Sequence, residues 1–224
     1  MRQEGAGESP AASWQARFAA PWQCGAGLLG FIFVPASRRY VLPTHAGQII
    51  RALSDEGCSA LFVGVFADEP IASCRDIARA CRLSMIQLHG NESPAYANAL
   101  DLPFIVARRV RDRVPWDELS QYRAWAYLLD SYHAHALGGT GQTWHWELMG
   151  KSGHAAEGPN KRVILAGGLT PENVGAAIRQ ARPWGVDVSS GVETQPGRKD
   201  SLKVERFIQN VRSAGRNARE DDQR

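Results

Sequence analysis

The sequence contains little of what zinc sites, disulfide-bonded folds and secreted scaffolds require. Its 224 residues include four cysteines, Cys24, Cys58, Cys74 and Cys81, and no pair has the C-x-x-C spacing that is typical of a zinc site. Cys74 and Cys81 are two helical turns apart, and this spacing predicts core residues of a protein in a reducing compartment. We therefore expect no bound metal.

Long apolar runs and a strong charge of either sign are also missing. No run approaches the roughly 20 apolar residues that cross a bilayer, and residues 1–14 (MRQEGAGESPAASW) lack the apolar segment of a signal peptide. The net charge is only +3, and the basic runs ARRVRDR and RSAGRNARE contain no interleaved aromatic residues. We expect a cytoplasmic protein, a monomer or a homodimer, that binds neither membranes nor nucleic acid.

What the sequence has instead is a regular series of short apolar runs. Most are rich in Val, Ile, Leu and Phe, which is typical of strands buried on both faces of a parallel sheet. The runs are LLGFIF (28–33), LFVGVF (61–66), MIQLHG (85–90), FIVARRV (104–110), AWAYLLD (124–130), RVILAGG (162–168) and GVDVSSG (185–191).

The segments between these runs have the pattern of helices with one apolar face. Apolar residues recur at i, i+3, i+4 and i+7 in residues 46–53, 174–181 and 204–211. The segment TPEN (170–173) predicts the start of a helix, because Thr170 can cap it and Pro171 suits its first turn.

Alternation of strands and helices predicts an α/β fold, either an open doubly wound sheet or a closed (β/α)8 barrel. No G-x-G-x-x-G segment follows the first run, which argues against a dinucleotide-binding sheet. Polar or glycine-rich residues end nearly every run. The carboxyl ends of barrel strands meet on one face, where active sites lie, so the barrel is favoured.

Two glycine-rich turns late in the chain are candidates for a phosphate site. Gly167 and Gly168 separate one predicted strand from a helix, and Ser189, Ser190 and Gly191 follow the next strand. Such turns let backbone N–H groups approach an anion, and loops after the last two strands of a barrel commonly bind phosphate. The segment GGTG (138–141) supplies a third candidate wall. Ordinary tight turns are the alternative interpretation.

Three other residues follow predicted strands and can carry chemistry. Asp130 ends AWAYLLD, where partial burial would suit it to general acid catalysis, although it can equally cap a turn. Arg39 or its neighbour Arg38 could bind a substrate carboxylate. His89 ends another run, where a structural hydrogen bond is the more common role of a histidine.

In order and spacing, these segments resemble phosphoribosylanthranilate isomerase, a cofactor-free (β/α)8 barrel of tryptophan biosynthesis. The segments are GFIFVPASRRYV, VGVF, IQLHGNE, LLDS, GGTGQTWHW, LAGGLTPENV and GVDVSSGVETQPGRKD, between about Gly25 and Ile208. The resemblance implies that the protein converts N-(5-phosphoribosyl)anthranilate into 1-(2-carboxyphenylamino)-1-deoxyribulose 5-phosphate by an Amadori rearrangement.

The resemblance also assigns roles to residues of this sequence. It matches Asp130 to the general acid and Arg39 to the arginine near the substrate carboxylate, and it places His89 in the substrate pocket. It implies no cofactor and no metal. The implied phosphate-binding residues are Gly139, Thr140, Gly141, Gly167, Gly168, Ser189, Ser190 and Gly191.

The sequence departs from the family at its amino end. Family members begin with a strand similar to KICG, whose cysteine is the general base, and no such segment precedes Gly25. Cys24 precedes the strand LLGFIF and should lie at the face opposite the active site. We therefore expect a TIM barrel whose first β-α unit is missing or replaced, with no base identified. The alternative is a catalytically impaired barrel that still binds a phosphorylated ligand.

These observations divide the chain into three parts. Residues 1–24 are expected to form an atypical, poorly ordered segment, residues 25–211 the barrel, and residues 212–224 a flexible tail.

Overall fold

The computed structural model describes residues 23–111, 113–131 and 162–221. Its centre is a seven-stranded parallel sheet in which strands adjacent along the chain are adjacent in the sheet. This order is the one that repeated βα units produce, and it confirms the predicted α/β fold of TIM type. The strands are β1 (Leu28–Ile32), β2 (Leu61–Phe66), β3 (Met85–Leu88), β4 (Phe104–Val110), β5 (Ala126–Ser131), β6 (Val163–Ala166) and β7 (Gly185–Val186).

Helices connect most of these strands, and a small hairpin follows the last one. The helices are α1 (Pro43–Asp55), α2 (Ile71–Cys81), α3 (Pro94–Asn98), α4 (Trp116–Leu119), α5 (Val174–Ala181) and α6 (Ser201–Asp221). A 3₁₀ turn (Ser190–Val192) leads into the antiparallel hairpin of β8 (Glu193–Gln195) and β9 (Arg198–Lys199). The apolar spacing that predicted α1 corresponds to its buried face, which includes Ala46, Ile49, Ile50 and Leu53.

The sheet is buried on both faces, and each face has its own apolar cluster. Successive side chains of a strand point to opposite faces, so alternate residues belong to different clusters. The helices cover the outer face, where the larger cluster lies. The inner cluster consists of Val63, Met85, Ile105, Ala107, Ala126, Leu128, Ile164 and Ala166. Asp130 and Gln87 lie two residues beyond Leu128 and Met85, and so continue the inner face toward the carboxyl edge.

Two predicted elements differ from the structure near the glycine turns. The helix predicted to start at Thr170 and Pro171 begins at Val174. Residues 170–173 form a turn instead, because Asn173 Oδ1 accepts a hydrogen bond from the Thr170 N–H at 2.8 Å. The predicted strand over 185–191 is limited to its first two residues, because Ser190–Val192 turns as a 3₁₀ helix.

The remaining features of the fold are the two edge strands of the sheet and the last helix. Among the described strands, β1 and β7 are the two edges, and no pairing joins them. Helix α6 continues to Asp221, so residues 212–221 are helical, and the predicted boundaries of the three parts stay predictions. No helix in the described ranges is both long and apolar enough to cross a membrane.

Candidate active site

Functional side chains gather at the carboxyl edge of the sheet. Asp130 lies next to the last residue of strand β5, His89 follows β3 directly, and Asp187 follows β7 directly. Parallel strands place these positions at the same end of the sheet, although they are far apart in sequence. The structure thereby brings together Asp130 and His89, which the sequence placed there, and adds Asp187, which the sequence analysis did not select.

His89 and Asp130 face each other across this edge. His89 Nε2 lies 3.7 Å from Asp130 Oδ2, and 25% and 26% of their side chains are exposed. Gln87 Nε2 donates to His89 Nδ1 at 3.1 Å, so the neutral ring carries its proton on Nε2, toward Asp130. The separation exceeds a hydrogen bond. Within the described ranges no group donates to the Asp130 carboxyl, which leaves it open to a ligand.

Asp187 adds a second carboxylate to the same edge. Its side chain is exposed, although many protein atoms lie around its carboxyl group. This crowding raises the pKa of Asp187, the charge of Asp130 adds to the rise, and Lys199 and His89 oppose it. A carboxyl with a raised pKa is suited to proton transfer. The signal in the sequence was an aspartate following the short run GV.

Arg39 lies in the loop between β1 and α1 and is held there by the buried carboxylate of Glu193. Its Nε donates to Glu193 Oε1 at 2.9 Å, and its Nη2 donates to Glu193 Oε2 at 2.6 Å. A fork of this kind fixes the plane of the guanidinium. The Glu193 hydrogen bond is the main cause that raises the pKa of Arg39. Arg38 beside it is exposed. Of the two arginines that the sequence left as alternatives, Arg39 is therefore the one whose guanidinium is held in a fixed plane at this edge.

The two glycine turns predicted to hold phosphate contact each other. Gly167 and Gly168 have φ angles of 87° and 63°, the left-handed region that favours glycine. A Cβ atom at Gly191 would lie 1.9 Å from the Leu169 carbonyl oxygen, so the turn after β7 packs directly on the turn after β6. Lys199 Nζ donates to the Ser189 carbonyl at 2.9 Å and holds the second turn in place.

Several predicted groups lie outside this arrangement. Gly139, Thr140 and Gly141 fall outside the described residues. Cys24 precedes β1, at the end of the strand opposite Asp130, and packs partly buried against the outer cluster. In the ranges that the structure describes, no group of three His, Cys, Asp or Glu residues is arranged to hold a metal ion.

A buried carboxylate that sequence analysis missed supports the loop after His89. Glu92 accepts hydrogen bonds from the Asp68 N–H at 2.8 Å and the Gly90 N–H at 3.0 Å. Arg108 Nη1 donates to the Gly90 carbonyl at 3.3 Å. The loops after β2 and β3 and the carboxyl end of strand β4 are thereby tied together. Glu92 and Glu193 carry no local pattern that marks them as supports, because their partners come from distant segments.

Comparison with known proteins gives one consistent family. The family model described as N-(5'phosphoribosyl)anthranilate (PRA) isomerase matches residues 13–210. The N-(5'-phosphoribosyl)anthranilate isomerase of Pelobacter propionicus is 45% identical over 184 residues, which cover 82% of this chain and 84% of that protein.

Solved structures agree with this match. Phosphoribosyl anthranilate isomerase from Thermotoga maritima is 34% identical with a TM-score of 0.77, and the alignment covers 87% of this chain and 92% of that one. A phosphoribosyl anthranilate isomerase in complex with reduced 1-(o-carboxyphenylamino)-1-deoxyribulose 5-phosphate is 32% identical with a TM-score of 0.74, with the same coverage. Another solved structure contains monomers generated from the dimeric Thermotoga maritima enzyme. This chain belongs to the N-(5'-phosphoribosyl)anthranilate isomerase family.

Proposed function

We propose that this protein converts N-(5-phosphoribosyl)anthranilate into 1-(2-carboxyphenylamino)-1-deoxyribulose 5-phosphate, the aldose-ketose isomerisation of tryptophan biosynthesis. The observation that carries the proposal is the His89–Asp130 pair, 3.7 Å apart at the carboxyl edge of a TIM-type sheet. An arginine and two glycine turns flank the same edge, which suits a substrate with a carboxylate at one end and a phosphate at the other.

The rearrangement leaves the composition unchanged, and it takes two proton transfers to reach the enol-amine and a tautomerisation to complete the ketose. Asp130, as a carboxylic acid, protonates the ribose ring oxygen, and the ring opens to a Schiff base. A base then removes the proton from C2, which gives an enol-amine that tautomerises to the ketose. The open carboxyl of Asp130 supports its role as the acid, and the Nε2–H of His89 can stabilise the carboxylate that remains.

Binding of the two anionic ends is assigned to different loops. Arg39 binds the anthranilate carboxylate through the part of its guanidinium that Glu193 does not occupy. Backbone N–H groups of the turns at Gly167–Gly168 and Ser189–Gly191 bind the phosphate, and the segment at Gly139–Gly141 is proposed as a third wall. No cofactor or metal is needed for these steps.

We further propose that the first β-α unit of the barrel is missing or replaced in this chain. Residues 1–24 contain no KICG segment, and the four cysteines all lie away from the inner carboxyl edge of the described sheet. Asp187 is then the group that we assign to removal of the C2 proton. Its position at the same edge as Asp130 and His89 and the raised pKa of its carboxyl support that role.

Turnover of the purified protein tests the proposal. Incubation with N-(5-phosphoribosyl)anthranilate should give the ketose product, identified by mass spectrometry after borohydride reduction, and expression should restore growth without tryptophan to a strain that lacks this isomerase. A barrel that only binds a phosphorylated ligand is the alternative, and family membership does not favour it. Tight binding of the reduced product without any turnover or rescue would instead support that alternative.

A further inference from the structure

Glu193 is a buried carboxylate that no step of the proposed reaction uses. Only 4% of its side chain is exposed, whereas 28% of the Arg39 side chain can be reached from solvent. A ligand can therefore meet the arginine but not the glutamate. Burial of an ionised carboxylate is unfavourable unless partners compensate it, so its persistence here requires an explanation.

The partners of Glu193 come from both sides of the mouth. Arg39 binds both carboxylate oxygens, Lys199 Nζ lies 3.2 Å from Oε1, and the Gly197 N–H donates to Oε1 at 3.3 Å. Lys203 Nζ donates to the Glu193 backbone carbonyl at 3.2 Å. Burial alone would raise the pKa of Glu193, but the Arg39 hydrogen bond and the charge of Lys199 outweigh it and lower the pKa. The carboxylate is therefore ionised at neutral pH.

The charges around Glu193 leave Arg39 able to attract an anion. A guanidinium matched by one carboxylate of its own would have little net attraction for a second carboxylate. Here Lys199 shares the same Glu193 carboxylate, so the cluster of the two cations and Glu193 retains a net positive charge. Glu193 occupies Nε and Nη2 of Arg39, and Nη1 is bound by no group among the described residues.

We propose that Glu193 is a positioning residue: it fixes the plane of Arg39 so that the free Nη1 edge is preorganised for the aromatic carboxylate of the substrate. The inference rests on the proposed function. An arginine that is already ordered loses little side-chain freedom when a ligand binds, and this raises affinity without a new contact. The effect is specific to ligands that carry the carboxylate.

Two ligands and a matched control separate positioning from a general structural role. The first ligand is reduced 1-(o-carboxyphenylamino)-1-deoxyribulose 5-phosphate, and the second is the same compound without the ring carboxyl group. In Glu193→Gln, which keeps the shape of the side chain, the first should bind about 10- to 100-fold more weakly. The second should change by less than about threefold, because Lys199 still holds the Ser189 carbonyl. The control is Glu205→Gln, which replaces an exposed carboxylate on α6.

A second variant guards against a misfolded Glu193→Gln protein. Glu193→Asp keeps the charge but withdraws the carboxylate by one methylene, and the loss should be smaller and again confined to the first ligand. An equal loss for both ligands in the folded variants, or no loss for either, would overturn the proposal.

The ¹⁵N NMR signal of the Arg39 Nε–H gives a readout that does not depend on catalysis. It should exchange slowly with solvent in the parent protein and rapidly in Glu193→Gln. Fast exchange in the parent would also refute the positioning role, whereas a parent that shows this signal but does not turn over the substrate would refute the proposed function alone.

Discussion

His89 Nε2 and Asp130 Oδ2 are 3.7 Å apart, and His89 Nδ1 accepts a hydrogen bond from Gln87, which leaves the proton of a neutral ring on Nε2. His89 follows β3 and Asp130 lies near the end of β5, with β4 between the two strands, and Gln87 sets the orientation of the ring. The gap is slightly too long for a hydrogen bond and short enough for the dipole of the N–H group to attract a carboxylate. A proton donor at Asp130 therefore has a nearby group that stabilises the carboxylate formed when its proton leaves.

Asp130→Asn should remove catalysis while leaving binding intact. The amide has the size of the acid but cannot protonate the ring oxygen, so kcat should fall by about 10²–10⁴-fold. Affinity for the reduced product should change little, because Arg39 and the glycine turns are untouched. Steady-state kinetics and calorimetry check this result. Asp76→Asn, at an exposed carboxylate paired with Arg79, should behave as the parent protein, and retained turnover in Asp130→Asn would refute the acid assignment.

His89→Ala should reduce kcat by about tenfold, since the carboxylate of Asp130 loses its neighbouring N–H. If the two residues act together, adding His89→Ala to Asp130→Asn should cost little more than Asp130→Asn by itself. A double-mutant cycle on kcat, with detection sensitive enough for the slow variants, measures this coupling. Fully additive losses would mean that His89 acts through a different step.

Asp187→Asn should also lower kcat by about 10²–10⁴-fold if Asp187 is the base. Crowding by protein atoms raises the pKa of Asp187, and a base must be ionised. Activity of the parent should therefore decline, as pH falls, at a higher pH than an ordinary aspartate would give. The pH dependence of kcat in the parent and loss of C2 deuterium from labelled substrate in the variant check these points. Undiminished release of deuterium by Asp187→Asn would assign the base to another group.

Gly191→Ala should damage the proposed phosphate site. The added Cβ would meet the Leu169 carbonyl oxygen at 1.9 Å, and a backbone contact of that kind can be relieved only by moving one turn away from the other. We expect KM to rise by about tenfold and the free energy of unfolding to fall by about 1–3 kcal/mol. Gly175→Ala, in the first turn of α5, has only the end of the Arg179 side chain nearby and serves as the control.

The stability contribution of Glu193 should depend on pH in a defined direction. Its folded pKa lies below that of the unfolded chain, which is about 4.3. The contribution is therefore complete above the unfolded pKa and is lost as pH falls through the folded pKa. Glu193→Gln should destabilise the protein by about 2 kcal/mol at pH 7, and the difference should shrink in acid. Urea unfolding at pH 7, 5 and 3.5 measures it, and a difference that grows in acid would contradict the assignment.

The sequence by itself determined the order of the elements and most of the strands. The runs at 61–66 and 104–110 correspond residue for residue to β2 and β4, because a strand buried on both faces is apolar along most of its length. Helix α1 followed from its apolar spacing in the same way. The strand order then placed Asp130 and His89 at one edge, since parallel connections leave little choice of topology.

Tertiary structure decided what those local patterns could not encode. Arg39 and Glu193 are 154 positions apart, and nothing near either residue predicts that they share a fork of hydrogen bonds. The turn that follows the short β7 packs Gly191 against the Leu169 carbonyl, a contact that neither segment predicts by itself. The selection of Asp187 likewise required its distant neighbours. Local sequence specifies which face of an element is apolar, but contacts between distant loops depend on the whole sheet having formed.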